Sequence, residues 1–426
     1  MALSRRDVLK LALVGAAHPL LPMRGIVSQA FAAPGAADAK FLLVFLRGGY
    51  DAANVIIPVG SSFYYESRPT LAIAKPNAAD PNAAVPLFGA NDAPLWGMHP
   101  ALKDSMLPMW QKRELAFIPF AGSEDLTRSH FETQDSVEGG MPVASPGATP
   151  HSYGSGFLNR LAAALDGRGA PVSFTDGLPV SMTGEIVVPN VSLKGTGRAP
   201  FDDRQVNLLS SMYSGTRFEP LIAEGFDLRK TVAEEADAMA KGDAGGAMAA
   251  EMIAANRNAL TARGFELEAR RMAGLMRDKF NVAFIDVGGW DTHVNQGGAQ
   301  GQLANLLANL GQGLAGFAEQ MGPAWKNTVV VVLSEFGRTF RENGTRGTDH
   351  GHGSAYWVLG GGVHGGRIVG DQVSVEPAKL NQNRDLPVLT EYRSLLGGLF
   401  KRMYSLDQTR IARVFPQAVP IDLSLI

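Results

Sequence analysis

The residues best equipped for chemistry sit in short polar sets. Gly289-Trp290-Asp291-Thr292-His293 places a carboxylate and an imidazole one residue apart. Ser334-Glu335-Phe336-Gly337-Arg338 adds an acid and a guanidinium, and Asp349-His350-Gly351-His352 follows soon after. Earlier in the chain lie Gly48-Gly49-Tyr50-Asp51 and Thr127-Arg128-Ser129-His130. Carboxylates together with imidazoles suit zinc, manganese or another divalent ion, and a larger carboxylate share shifts preference toward harder ions such as calcium or magnesium. The chain contains no cysteine. Disulfides, thiolate zinc sites and a cysteine nucleophile are therefore excluded, and any metal must be held by histidine and carboxylate.

Each set also has a plain structural reading. Asp51 after Gly-Gly equally serves to cap a turn or a helix start. Asp349 can position a neighbouring loop, and one of His350 and His352 is expected outside the ligand shell. Arg338, Arg341 and Arg346 can form a solvated basic face. His130, on the first turn of a helix, is a candidate acid or base, although a histidine there is more often an exposed bystander. Glu335 is harder to dismiss, because an unpaired charge directly after a buried strand is costly.

What raises these residues above their neighbours is the set of elements that must carry them. Residues 40–46 (Lys-Phe-Leu-Leu-Val-Phe-Leu) form a continuous apolar run, as do 115–120, 281–287, 328–333 and 355–359. Such runs read as strands buried on both faces. Between the third and fourth, Leu303, Leu306, Leu307, Leu310, Leu314 and Phe317 make one helical stripe. Leu395, Leu396, Leu399 and Phe400 make another after Pro387. Strand, helix, strand with continuous apolar strands predicts an α/β domain, a mostly parallel sheet with helices on both faces, over 40–426. In such sheets ligands gather beyond the carboxyl ends of the strands, where the polar sets fall. The stretch 150–280 is less regular and reads as a mixed or helical insert or cap.

The N-terminus reads as a targeting segment. Ser4-Arg5-Arg6-Asp7-Val8-Leu9-Lys10 precedes a weakly apolar run, and Ala30-Phe31-Ala32 supplies a small-x-small cleavage pattern. Residues 1–32 are expected to be a twin-arginine signal peptide engaging the twin-arginine translocase. The destination is then periplasmic or otherwise exported. The run is too short, and too interrupted by Pro19 and Pro22, to remain as a transmembrane helix. A net charge of −2, with the signal itself basic, gives no support to a nucleic-acid partner.

Taken together, Leu46-Arg47-Gly48-Gly49-Tyr50-Asp51, Arg128-Ser129-His130-Phe131, Gly289-Trp290-Asp291-Thr292-His293, Ser334-Glu335-Phe336-Gly337-Arg338 and Thr348-Asp349-His350-Gly351 resemble the markers of the domain of unknown function 1501 family. The resemblance covers nearly the whole chain after the signal. That family is similar in turn to the alkaline phosphatase and sulfatase superfamily. The resemblance implies an alkaline-phosphatase-like fold, a divalent metal ion (zinc, calcium, manganese or magnesium) and hydrolysis of an anionic phosphate or sulfate ester. It implies Asp51 as a first-strand metal ligand and Ser129 as nucleophile, with Gly139 at the expected spacing along the following helix. Asp291 and His293 match the loop ligands, with Asp286 as a competing carboxylate. Glu335 takes the place of the strand-end acid, and His350, with His352 as the alternative, matches the last histidine. Arg338 or Arg128 is placed to clamp ester oxygens. One departure stands out: Phe336 occupies the position of an expected histidine. The alternative is therefore a non-catalytic metal-binding or partner-binding envelope protein that kept the fold.

Overall fold

The side chains of β1 (Lys40–Leu46) alternate between two cores. Leu42, Val44 and Leu46 enter one, while Phe41, Leu43 and Phe45 enter the other. Successive Cβ atoms point to opposite faces of a sheet, so a strand apolar at every position must be covered on both. The computed structural model describes residues 38–87, 95–143, 154–193, 211–216, 256–257 and 259–426. The proposed signal peptide lies outside them. Among the described residues no helix is long and apolar enough to cross a membrane.

After β1, β2 (Ile56–Ile57), β3 (Val85–Leu87) and β4 (Trp96–Met98) form a small antiparallel sheet. The main sheet adds β5 (Leu115–Gly122), β6 (Pro171–Ser173), β7 (Leu260–Thr261), β8 (Val282–Gly288) and β9 (Thr328–Ser334). It is completed by β10 (Ser354–Leu359), β11 (Arg367–Ile368) and β12 (Thr390–Glu391). Its order is β11-β5-β10-β9-β1-β8-β6, with β12 on β5 and β7 on β8. Every pairing is parallel except those of β10, which runs antiparallel to both β9 and β5. The five apolar runs are strands of this sheet, each within two residues of its expected bounds.

Among the described residues the helices include α1 (Ser62–Ser67), α2 (Lys103–Gln111), α3 (His130–Gly139), α4 (Phe157–Ala164), α5 (Ala262–Asp278), α6 (Gln302–Met321), α7 (Tyr392–Tyr404) and α8 (Gln408–Val414). Met106, Phe265, Met272, Leu307, Leu310 and Leu314 carry α2, α5 and α6 onto the first core. Leu158, Leu161, Leu395, Leu399 and Ile411 carry α4, α7 and α8 onto the second. Both faces are thus layered with helix. The expected insert at 150–280 needs a correction at its edges, because it supplies β6, β7, α4 and α5 to the sheet domain itself. Of the segment between, residues 194–210, 217–255 and 258 lie outside the described residues.

Candidate metal centre

β1 lies between β8 and β9, and their three carboxyl ends open on one rim. From the end of β8 the chain turns through Gly289, at φ 95°, into Asp291, Thr292 and His293. From β9 it runs through Glu335 and Arg338, doubles back, and returns through Asp349 and His350 to β10. Arg338 and His350 form an antiparallel bridge within this hairpin. Because β10 is reversed, its first residue rather than its last lies at the rim. The end of β5 leads to α3, whose first residue is His130. Gly48, at φ 121°, lets the β1 turn approach closely, since a Cβ there would lie 2.6 Å from the amide nitrogen of Asp291.

His130, Asp291 and His350 present ligand atoms within 4.8 Å of one another. His293 joins them, its Nε2 lying 2.9 Å from Asp291 Oδ1 and 3.0 Å from His350 Nε2. His350 Nε2 is 3.2 Å from the same oxygen, and His130 Nε2 is 3.5 Å from Asp291 Oδ2. Ligand atoms about 2.0–2.1 Å from a tetrahedral zinc lie about 3.3 Å apart, so one cation fits among His130, Asp291 and His350, with His293 beside Asp291 and His350 but outside that set. Phe336 walls the group, its ring centroid 4.9 Å from that of His130 and 5.0 Å from that of His350.

The outer nitrogens determine what faces inward. His350 Nδ1 is 3.0 Å from the carbonyl oxygen of Arg128, His293 Nδ1 is 3.1 Å from Asp349 Oδ1, and His130 Nδ1 is 2.8 Å from Glu335 Oε1. Carbonyl and carboxylate oxygens only accept, so each Nδ1 carries the proton and donates it. In the neutral rings each Nε2 then turns a lone pair toward Asp291. Two such lone pairs 3.0 Å apart repel unless a proton or a cation lies between them. His130 Nε2 is also buried without a hydrogen-bond partner. Orienting each metal-binding imidazole through its second nitrogen is the usual way a site fixes tautomer and direction.

The electrostatics follow from these contacts. Burial by itself disfavours the charge on Asp291, but the surrounding imidazoles of His130, His293 and His350 and the Arg338 guanidinium hold its carboxyl well below the usual range. Glu335 is also buried, yet bonding to His130 and Gln134 lowers it to about 2. Against the effect of burial, Asp291 and Glu335 push His130 up to about 9. His293 is raised through Asp291, whereas burial lowers His350. A cation bound here would compete with protons for these imidazoles.

Of the expected site residues, Asp291, His293 and His350 converge, and several others require correction. Asp51 is not beside them: Arg68 grips its two oxygens from Nη1 at 2.5 Å and Nη2 at 3.0 Å, and Gln296 donates to it at 2.6 Å. Glu335 stands one step back, accepting from Gly48 N, His130, Gln134 and Ser334 rather than facing the cluster's centre. His352 is buried near Asp125, Asp385 and Arg128, outside the ligand group. Arg338 is 3% exposed, and its donors go to Gly48 O, Gly49 O, Trp290 O, Thr348 O and Asp291, with Nη1 also 3.4 Å from His293 Nε2, leaving none free to clamp an ester. Arg128 is paired with Asp385 and Gln382, and Asp286 with Arg47. Ser129 is half-buried at the N-cap of α3, where its side chain makes no capping bond.

His130 is the residue that sequence reasoning missed, since it is buried rather than an exposed bystander. A signal was present. His130, Gln134 and Glu138 are spaced i, i+4, i+8 and share one face of α3, which is buried, while Phe131 stands exposed. An amphipathic helix with its polar stripe turned inward marks a buried polar site.

A family model described as "Protein of unknown function (DUF1501)" matches residues 38–415. The chain belongs to the DUF1501 family. This is the family whose markers the motifs resemble. No curated protein matches this DUF1501 chain. Among solved structures it is similar to a protein in the alkaline phosphatase superfamily from Vibrio parahaemolyticus, at 11% identity and TM-score 0.35, over 76% of this chain and 60% of that one. It is also similar to a sulfatase from Pseudoalteromonas sp., at 9% identity and TM-score 0.34, over 78% of this chain and 64% of that one. A third is alkaline phosphatase from the Antarctic bacterium TAB5, at 10% identity and TM-score 0.30, over 88% of this chain and 97% of that one. The chain spans less than two thirds of the length of the first two. At these values the likeness carries nothing about chemistry, which rests on the residues above.

Proposed function

We propose that this protein is an exported hydrolase of anionic phosphate or sulfate esters that depends on a divalent metal ion. The observation that supports the reading is the inward convergence of His130, His293 and His350 on Asp291, with every outer nitrogen held. Three imidazoles with one carboxylate favour zinc over calcium or magnesium. The oxygens that a harder ion would need, those of Asp51 and Glu335, are already engaged. Such a cation supplies Lewis acidity toward an ester oxygen and lowers the pKa of a nearby hydroxyl.

Ser129 is assigned as the nucleophile because it directly precedes the ligand His130 at the N-terminus of α3. Its Oγ would bond to phosphorus or sulfur as the bond to the leaving alkoxide breaks. The hydroxyl proton ends on the departing alcohol, and water then cleaves the seryl ester and restores the serine. Backbone N–H groups of the first turn of α3 add donors for the anion. Elemental analysis and turnover on aryl phosphates and aryl sulfates test this together. Ser129→Ala should keep its zinc and lose about 1,000-fold or more in rate. Full activity in that variant removes the nucleophile, and purified protein without metal removes the reading as a whole.

A second reading, metal binding in the envelope without turnover, is favoured by the engagement of both Arg338 and Arg128 within the protein. It predicts stoichiometric zinc and no hydrolysis of either ester. The export reading rests on the arginine pair and cleavage pattern at residues 1–32. Replacing Arg5 and Arg6 with lysine should leave the precursor in the cytoplasm, and unchanged export would discard the twin-arginine route.

A further inference from the structure

The ligands arrive on two loops far apart in sequence, one holding Asp291 and His293, the other Asp349 and His350. Gln296, three residues past His293 on the first loop, is fully buried where the two loops meet. Its amide oxygen accepts from Thr292 Oγ1 and Thr348 Oγ1, each at 2.8 Å. Its amide nitrogen donates to Asp51 Oδ2 at 2.6 Å. The orientation is forced, because the carboxylate can only accept and so must face the NH2 group. Thr292 and Thr348 are themselves buried, and each adjoins ligand-bearing residues. The backbone joins the loops in the same place, through Thr348 N to Thr292 O at 3.2 Å and Gln296 N to Arg346 O at 2.9 Å.

Behind Gln296 stands a rigid anchor. Arg68 holds Asp51 with two donors and is fixed in turn by Phe340 O at 2.7 Å, Thr339 O at 3.1 Å and Asn54 Oδ1 at 3.0 Å. We propose that Gln296 is a positioning residue that sets the separation of the two ligand loops, with the Asp51–Arg68 pair fixing its orientation. This rests on the metal reading above. Gln296 is not among the atoms facing the cation. It determines whether His293 and His350 reach a common centre without rearrangement, as supporting partners of metal ligands do.

The test is zinc titration of chelator-stripped full-length protein by competition with a chromogenic chelator, alongside the melting temperature of the metal-free form. Gln296→Met should raise the zinc Kd by about 10–100-fold in protein that is still folded. Leu399→Ala, a core truncation on α7, serves as a control for lost stability and should leave the zinc Kd unchanged. If Gln296→Met does not fold, Thr348→Val removes one of the two hydroxyl bonds and should raise the Kd by a smaller factor. A lowered melting temperature with an unchanged zinc Kd would overturn the positioning role and leave the metal centre standing. Failure of the wild-type protein to bind zinc stoichiometrically would overturn both.

Discussion

Arg47 and Arg68 are both buried, both paired with carboxylates, and both reach the imidazole cluster through a glutamine, yet they brace different things. Arg47 bonds Asp286 at 2.6 Å and Glu138 at 2.9 Å and donates to Gln134 at 2.7 Å. Gln134 then donates to Glu335 at 3.0 Å, and Glu335 receives the Nδ1 proton of His130. That line ends on a proposed ligand and controls its tautomer and charge. The Arg68 line ends instead on two threonine hydroxyls and controls the distance between loops. One flank fixes which atom faces the centre, and the other fixes how far apart the atoms are. Ionic bonding suits the first task because a carboxylate holds a proton donor strongly. Neutral bonding suits the second because it adds no charge beside the ligands.

Cutting the point where the flanks meet should have the largest effect. Asp291→Ala removes the residue common to all three imidazoles and leaves Arg338 buried without its carboxylate. Zinc content should fall to background, and the unfolding free energy in urea should fall by about 3–5 kcal/mol. Retained stoichiometric zinc would place the centre elsewhere.

Acid should have the next largest effect, through a buried histidine. His99 is fully buried, donates from Nε2 to Gly298 O at 3.0 Å and accepts from Ala101 N at 3.0 Å. Burial pushes it down to about 4 from an ordinary 6.5. Between those values the unfolded chain binds a proton that the folded chain does not. Its contribution is therefore complete above pH 6.5 and is lost as pH falls toward 4, by about 3 kcal/mol. Denaturation curves at several pH values for wild type and His99→Gln check this, and the substitution should flatten the slope in that window.

A smaller effect is expected from Glu335→Gln on the Arg47 flank. The amide keeps an oxygen for His130 but loses the charge, so zinc should bind about 10–100-fold more weakly while stoichiometry stays unchanged. Smallest is Arg346→Ala. This side chain is exposed, and its removal should change stability by less than about 0.5 kcal/mol. A clear rise in KM for an anionic ester in that variant would assign it the anion-binding role that Arg338 and Arg128 do not fill.

How much of this was legible in the sequence depends on range. The strands were readable because a strand buried on both faces is apolar at every position, and strand ends then located the polar sets. The meeting of Asp291, His293 and His350 at the rim follows from that rule. Asp51 did not, because its fate depends on Arg68, a residue 17 positions onward whose guanidinium reaches it only once α1 has folded. Glu335 was readable as buried and charged, but not as the partner of an imidazole 205 residues away. Arg338 looked free because most of its acceptors are backbone carbonyls, which no side-chain pattern reveals. The extent of the middle insert was overstated because β6 and β7 are too short to show a periodicity of their own.

The contact between His293 and His350 joins points 57 residues apart in the chain. A cation bridging them would act as a removable cross-link in a protein that has no thiols to make a permanent one. Closing a loop of that size restricts the unfolded chain by about 4 kcal/mol in the chain-entropy model. The loops after β8 and β9 would then open as one unit rather than singly. Loading with zinc should accordingly slow proteolytic nicking across both loops together, so the centre would govern how long the rim survives as well as what it binds.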